Sequence, residues 1–104
     1  MTDKTQIAIE MQVQNYHDMG KRSLREWAKM YSSQLKKNDT FTDLAKCICI
    51  NITSFDYAGK ESGYSRSVIK DVETNETLRG LDDLEIYFIE LPKREQVDDT
   101  RLRQ

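Results

Sequence analysis

Glu10 and Gln12 are the two residues of this chain best placed to carry out chemistry together. The segment 6–13 that contains them alternates polar side chains with the apolar side chains of Ile7, Ile9, Met11 and Val13. This period of two predicts a β-strand, on which Glu10 and Gln12 share one face. A carboxylate is a hard oxygen ligand for Mg²⁺, and the neighbouring amide could orient a water molecule or a phosphate. The same alternation also suits the solvated face of a half-exposed strand, so both interpretations stay open.

A second group of residues with a possible function is basic. Lys21, Arg25 and Lys29 recur every four residues and would form one stripe on a helix, with Arg22 beside it. Such a stripe can contact phosphate, and it can equally be a solvated face. The chain has 16 Lys and Arg residues against 18 Asp and Glu residues, a net charge of -2. Any nucleic-acid contact must therefore come from a local basic patch.

The thiol and imidazole groups offer little further chemistry. Cys47 and Cys49 would share a face of a strand, where they are badly placed for a disulfide. With His17 as the single histidine, a zinc site lacks ligands, and we interpret the cysteines as small buried hydrophobic residues. Free thiols and the lack of a recognisable signal peptide predict a cytoplasmic location. No apolar run is long enough to span a membrane.

One main helix is predicted to follow the first strand. It would run from about Lys21 to a cationic end at 36–38, with an apolar stripe made of Leu24, Trp27, Ala28, Tyr31 and Leu35. Ser23 and Glu26 could form a capping box at its start. Asp18 is an equally good N-cap and would begin the helix earlier.

Three further strands are predicted over 47–55, 64–71 and 84–91, the last of them stopped by Pro92. The strand 47–55 has little alternation and should be central and covered on both faces. A helix between the first two strands allows a parallel crossover, and the last strands can pair as an antiparallel meander. The chain is thus expected to be one α/β (α+β) domain, with a mixed sheet, one main helix and the order β-α-β-β-β. We expect this domain to span 1–94 and a charged tail to span 95–104.

Five segments of the chain, read together, resemble the PD-(D/E)XK nuclease family transposases, also called recombination-promoting nucleases. The segments are 9–12 (IEMQ), 21–23 (KRS) with Tyr31, 34–37 (QLKK), 48–55 (ICINITSF) and 84–93 (LEIYFIELPK). They occur in the order of the family and span nearly all of 7–93. The last segment is the most specific of the five.

The resemblance implies a restriction-endonuclease-like core and Mg²⁺-dependent (or Mn²⁺-dependent) DNA cleavage in recombination or DNA mobility. Glu10 matches the metal carboxylate of the family, and Gln12 matches a position where the family has Lys or Gln. Lys21, Arg22, Arg25 and Tyr31 lie on the helix that would bind DNA or support the site. DNA is therefore the expected partner, and no membrane is expected.

The chain also departs from the family pattern. The family carries a metal-binding Asp on a strand upstream of the Glu-containing strand, whereas this sequence opens with what resembles the turn between those two strands. The core is accordingly expected to be partial and the chain a truncated member of the family. A second carboxylate would have to come from Asp3, Glu90 or another chain.

This departure raises an alternative function. One carboxylate and one neutral amide supply little charge for holding Mg²⁺. A missing strand also leaves an open sheet edge that can pair with another chain. The alternative is a catalytically inactive interaction module that forms a homodimer or regulates a full-length nuclease relative.

Overall fold

The computed structural model describes residues 4–35, 40–59 and 61–92. Its elements in chain order are β1 (Gln6–Gln12), α1 (Met19–Ser32), a 3-10 turn (Phe41–Asp43), β2 (Cys47–Thr53), β3 (Tyr64–Ser67) and β4 (Leu84–Glu90). The predicted β-α-β-β-β order and the α+β class, with one main helix on a four-stranded mixed sheet, are confirmed. The arrangement is consistent with a partial restriction-endonuclease-like fold. Within the described ranges, no helix is long and apolar enough to cross a membrane.

The strand order of the sheet is β1-β2-β4-β3. β2 pairs in parallel with both β1 and β4, and β3 pairs antiparallel with β4 at the edge. The parallel crossover and the antiparallel pairing of the last two strands are confirmed, but β2 pairs with β4 and not with β3, so the strands do not form the predicted meander. β4 is largely apolar and gains burial from a place inside the sheet, whereas the short polar β3 is suited to an edge. β3 also ends at Ser67, earlier than predicted.

α1 packs across one face of this sheet, and the apolar core lies between them. The buried apolar side chains are Met19, Cys49, Ile86 and Phe88, with Trp27 and Met30 packed against them. The indole Nε1 of Trp27 donates to the carbonyl of Cys47 at 2.7 Å. Both cysteines are free and buried, as predicted. Burial raises the pKa of the Cys49 thiol to about 11, which keeps it in the unreactive protonated form.

The ends and faces of α1 differ in part from the sequence prediction. The helix starts at Met19 with Asp18 as its N-cap, so the earlier of the two predicted starts is the right one. Trp27 and Tyr31 are half-buried against the sheet, whereas Leu24 is 52% exposed, and Ala28 and Leu35 are exposed as well. The buried stripe instead runs through Met19, Ser23, Trp27 and Met30. The predicted closing residues 36–38 lie outside the described residues.

The apolar side chains of β1 point away from the helix. Ile7, Ile9 and Met11 are 58–65% exposed, and the polar face of β1 lies on the same side of the sheet as α1. This follows from the parallel register, which pairs Ala8 with the buried Cys49 and Glu10 with Asn51. The isoleucines of β2 at positions 48, 50 and 52 are only half-buried on the same outer face. In the described part of the chain, the expectation that β2 is covered on both faces is therefore wrong.

A buried carboxylate connects the strands on this outer face. Glu85 accepts hydrogen bonds from Lys46 Nζ at 2.8 Å, from Tyr87 Oη at 2.6 Å and from Arg66 Nε at 3.2 Å. The hydrogen bond from Lys46 is the largest cause that lowers the pKa of Glu85 from 4.5 to about 2. The cluster joins the residue before β2 to the middle of β4 and to the edge strand β3.

We expect the Glu85 cluster to make the stability of the domain depend on pH in acid. Because the folded pKa of Glu85 is below its unfolded value, its contribution is complete above about pH 4.5 and is lost as the pH falls towards about 2. Glu85→Gln should lower the free energy of unfolding near neutral pH by about 1–3 kcal/mol and flatten its decline in that window. Urea denaturation followed by circular dichroism measures both effects. The exposed Glu73 provides the control variant Glu73→Gln, and an equal effect of the two variants would contradict the assignment.

Candidate active site

A cavity of about 360 Å³ opens between the start of α1 and the carboxyl ends of β1 and β2. Its position follows from the direction of α1, whose later residues Trp27 and Tyr31 are bonded near the amino ends of β2 and β4. The lining side chains come from one helix and two strands: Glu10, Gln12, Asp18, Met19, Arg22, Ser23, Arg25, Glu26 and Asn51.

The floor of the cavity consists of oxygen-bearing side chains on adjacent strands. Glu10 pairs with Asn51 in the parallel register, so the exposed carboxylate lies beside the carboxamide. Asn51 is 2% exposed, and its Nδ2 donates to the carbonyl of Tyr87 at 3.3 Å, which fixes the orientation of its carboxamide. Gln12 follows two residues after Glu10 on the same face. The floor therefore presents one carboxylate and two carboxamide groups.

The wall formed by α1 carries both signs of charge. Arg22 lies 3.9 Å from Asp18 and stacks over the ring of Tyr16 at 5.6 Å. Arg25 lies 3.8 Å from Glu26. The cavity lining thus holds three carboxylates and two guanidinium groups, an excess of one negative charge. Because both helix carboxylates have an arginine nearby, Glu10 is the carboxylate left for a cation.

The structure brings four of the six predicted site residues together. Glu10, Gln12, Arg22 and Arg25 line the cavity. Lys21 is exposed on α1 but is not part of the lining. Tyr31 lies at the opposite end of the sheet, where its hydroxyl donates to Asp83 Oδ2 at 2.7 Å. Burial, together with this bond, raises the pKa of Tyr31 to about 12, so any support that it gives to the site acts through the docking of the helix.

Sequence reasoning missed Ser23 and Asn51 as lining residues. Asn51 did leave a signal, because it is a polar residue inside the otherwise apolar run of β2, and such a residue needs a buried partner or a function. Ser23 left a weaker signal: it belongs to the family-like segment 21–23, but a serine near a helix start is ordinarily interpreted as a cap.

The donor set tests whether Mg²⁺ fits this site. In the part of the chain that the structure describes, no three His, Cys, Asp or Glu side chains are grouped to hold a metal. Asp3 lies outside the described residues. Glu90 does not line the cavity; it is fully buried, and its Oε1 accepts the backbone N–H groups of Tyr57 and Ala58. One carboxylate with amide oxygens would hold Mg²⁺ weakly by itself, and substrate phosphate would supply further ligands, a common arrangement for this ion.

The comparison with protein families agrees with this combination of fold and cavity. The family model of the PD-(D/E)XK nuclease family transposases matches residues 1–103 of the 104-residue chain. The chain therefore belongs to this family of nuclease-like proteins. It matches no curated protein and no solved structure.

The placement of Tyr31 predicts that its substitution affects the docking of α1 on the sheet and not the metal site. Tyr31→Phe should lower the free energy of unfolding by about 0.5–1.5 kcal/mol, because Asp83 loses its partner. The affinity of the site for Mg²⁺ or Mn²⁺ should stay within about twofold of the unaltered chain, because the cavity lies at the other end of the sheet. Urea denaturation and metal titration calorimetry test the two parts. A loss of metal affinity without a loss of stability would contradict the indirect role.

Proposed function

We propose that this chain carries out metal-dependent hydrolysis of DNA phosphodiester bonds, with Glu10 as the metal ligand. The observation that carries the proposal is one cavity in which Glu10 and Gln12 of β1 face Arg22 and Arg25 of α1. A carboxylate that can hold a cation and arginines that can neutralise phosphate are the two groups that such a reaction requires. Membership of the nuclease family supports the same activity.

Each residue has a separate task in this proposal. Mg²⁺ or Mn²⁺, when bound, polarises the phosphate and makes a water molecule a better nucleophile. Glu10 supplies the charged ligand, and the Gln12 amide orients the water through a hydrogen bond. Arg22 neutralises charge on the phosphate, while the exposed Arg25 and Lys21 extend the positive surface along the DNA backbone.

DNA nicking tests the proposed activity. Purified protein should nick supercoiled DNA only with Mg²⁺ or Mn²⁺, and Glu10→Ala should reduce the rate at least about 100-fold because the charged ligand is lost. Glu76→Ala serves as the matched control, because it removes an exposed carboxylate from the connection between β3 and β4, outside the cavity lining.

Metal titration calorimetry gives a second measure that does not depend on activity. The unaltered chain should bind Mn²⁺, and Glu10→Ala should not. In the nicking assay, equal rates for the unaltered chain and for Glu10→Ala would identify a contaminating nuclease and remove the support for this proposal.

A second candidate function rests on the outer face of the sheet. The apolar side chains of Ile7, Ile9 and Met11, at alternate positions of β1, and of Val13, just after the strand, are 58–70% exposed. In the described ranges β1 pairs only with β2, so its other edge presents unpaired backbone groups. An apolar stripe on an open strand is a template for pairing with another chain. We infer that this face makes the chain an interaction module whose partner is a second copy, with a full-length nuclease relative as the alternative partner.

Sedimentation velocity tests this candidate directly. The unaltered chain should sediment as a dimer, and Ile9→Lys should shift it to monomer because it places a charge in the centre of the apolar stripe. Val72→Lys is the matched control, since Val72 is an equally apolar residue, 98% exposed, outside the strands. A monomeric unaltered chain, or equal dissociation by both variants, would contradict the proposal.

A further inference from the structure

The hydroxyl of Ser23 is a buried group on the cavity wall to which neither candidate function gives a role. Ser23 is 2% exposed and lines the cavity. Its Oγ has no hydrogen-bond partner within the part of the chain that the structure describes. Buried hydroxyl groups almost always have a partner, because leaving one unpaired costs free energy.

Other serines in this region show what an unused hydroxyl ordinarily does. The hydroxyl of Ser32 donates to the carbonyl of Lys29, and that of Ser33 donates to the carbonyl of Met30. Both bonds return to the backbone of α1, which is the usual arrangement for serine in a helix. The hydroxyl of Ser23 makes no such bond, so a ligand that reached it from the cavity would supply the partner that it lacks.

The groups beside Ser23 include donors that suit an anion, although the cavity lining as a whole is negative. Arg22 precedes it and lines the same cavity. No acidic side chain lies in the first turn of α1, and the N-cap residue Asp18 makes no side-chain capping bond, so no side chain caps the first N–H groups of the helix. A hydroxyl donor, a guanidinium group and a helix amino end together suit a phosphate oxygen.

We propose that the Ser23 hydroxyl and the Arg22 guanidinium form a subsite that binds a non-bridging phosphate oxygen and positions the phosphodiester beside Glu10. The inference rests on the proposed nuclease function for its biological substrate, but the subsite itself needs no metal. Ser23 is a binding residue in this scheme, and it takes part in no proton transfer.

The charge of the cavity predicts how phosphate binding responds to Glu10. The lining carries one excess negative charge, which repels phosphate in the absence of a cation. Glu10→Gln removes that charge while keeping the shape of the side chain. The variant should therefore bind inorganic phosphate more tightly than the unaltered chain in metal-free buffer.

The experiment is a titration of inorganic phosphate into Glu10→Gln protein in the presence of a chelator, followed by backbone amide shifts in nuclear magnetic resonance spectra. A second substitution, Ser23→Ala, should weaken phosphate binding about tenfold, because one hydrogen bond to a charged group is lost. Ser65→Ala is the matched control, since the Ser65 hydroxyl is also buried and unpartnered among the described residues but lies on β3 away from the cavity. Both serine variants should keep or raise the melting temperature, because each removes an unpaired buried hydroxyl.

Ser23→Cys keeps nearly the same side-chain shape but has a poor hydrogen-bond donor, so it should also weaken phosphate binding. This second variant shows whether the effect of Ser23→Ala comes from the lost donor or from altered packing. Equal phosphate affinity for the Ser23 and Ser65 variants, or no phosphate binding by Glu10→Gln protein, would overturn the subsite. The titration contains no metal, so its failure is distinguishable from failure of the nuclease proposal. Mn²⁺ binding and nicking by the unaltered chain decide the nuclease proposal separately.

Discussion

The position of α1 along the strands of the sheet decides where the candidate active site can form. The hydrogen bonds from Trp27 to the Cys47 carbonyl and from Tyr31 to Asp83 bind the later half of the helix to the amino ends of the strands. The helix is rigid, so its first two turns then lie over the carboxyl ends of β1 and β2. Arg22 and Ser23 are thereby placed opposite the polar side chains of the sheet.

The three parallel strands change character in the same direction. On the face under the helix, β2 passes from Cys47 and Cys49 to Asn51 and Thr53. In the same direction, β1 passes from Ala8 to the polar pair at positions 10 and 12, and β4 passes from apolar side chains to a buried glutamate at position 90. Because the strands are parallel and in register, the apolar parts come together to form the core and the polar parts come together at one end. The core and the cavity therefore lie at opposite ends of the same face of the sheet.

The loop after β2 closes the polar end of the sheet. Glu90 accepts the backbone N–H groups of Tyr57 and Ala58, and the ring of Tyr57 stacks on Phe88 with centroids 4.5 Å apart. A Cβ added at Gly20 would lie 2.7 Å from the Tyr57 hydroxyl, so glycine at this position lets the loop approach the start of α1. Glu90 thus serves the architecture of the loop, which leaves Glu10 as the carboxylate of the cavity floor. The apolar outer face of β1 lies on the other side of the sheet, so a second chain bound there and a phosphate bound in the cavity would not compete.

The element types, their order and the placement of Glu10 and Gln12 on one strand face could all be predicted from the sequence, because periods of two and of about 3.6 residues are local properties of the chain. The sequence also indicated the family, which the match over residues 1–103 confirmed. The position of β4 between β2 and β3 could not be predicted from local patterns, since strand order depends on which strand gains most from burial. The docking of α1 also placed the polar face of β1 on the helix side of the sheet and left Leu24 exposed, because the register with β2 and the hydrogen bonds of α1 outweigh hydrophobic periodicity. The same contacts brought Ser23 and Asn51 to Glu10, a proximity between distant parts of the chain that no local pattern encodes.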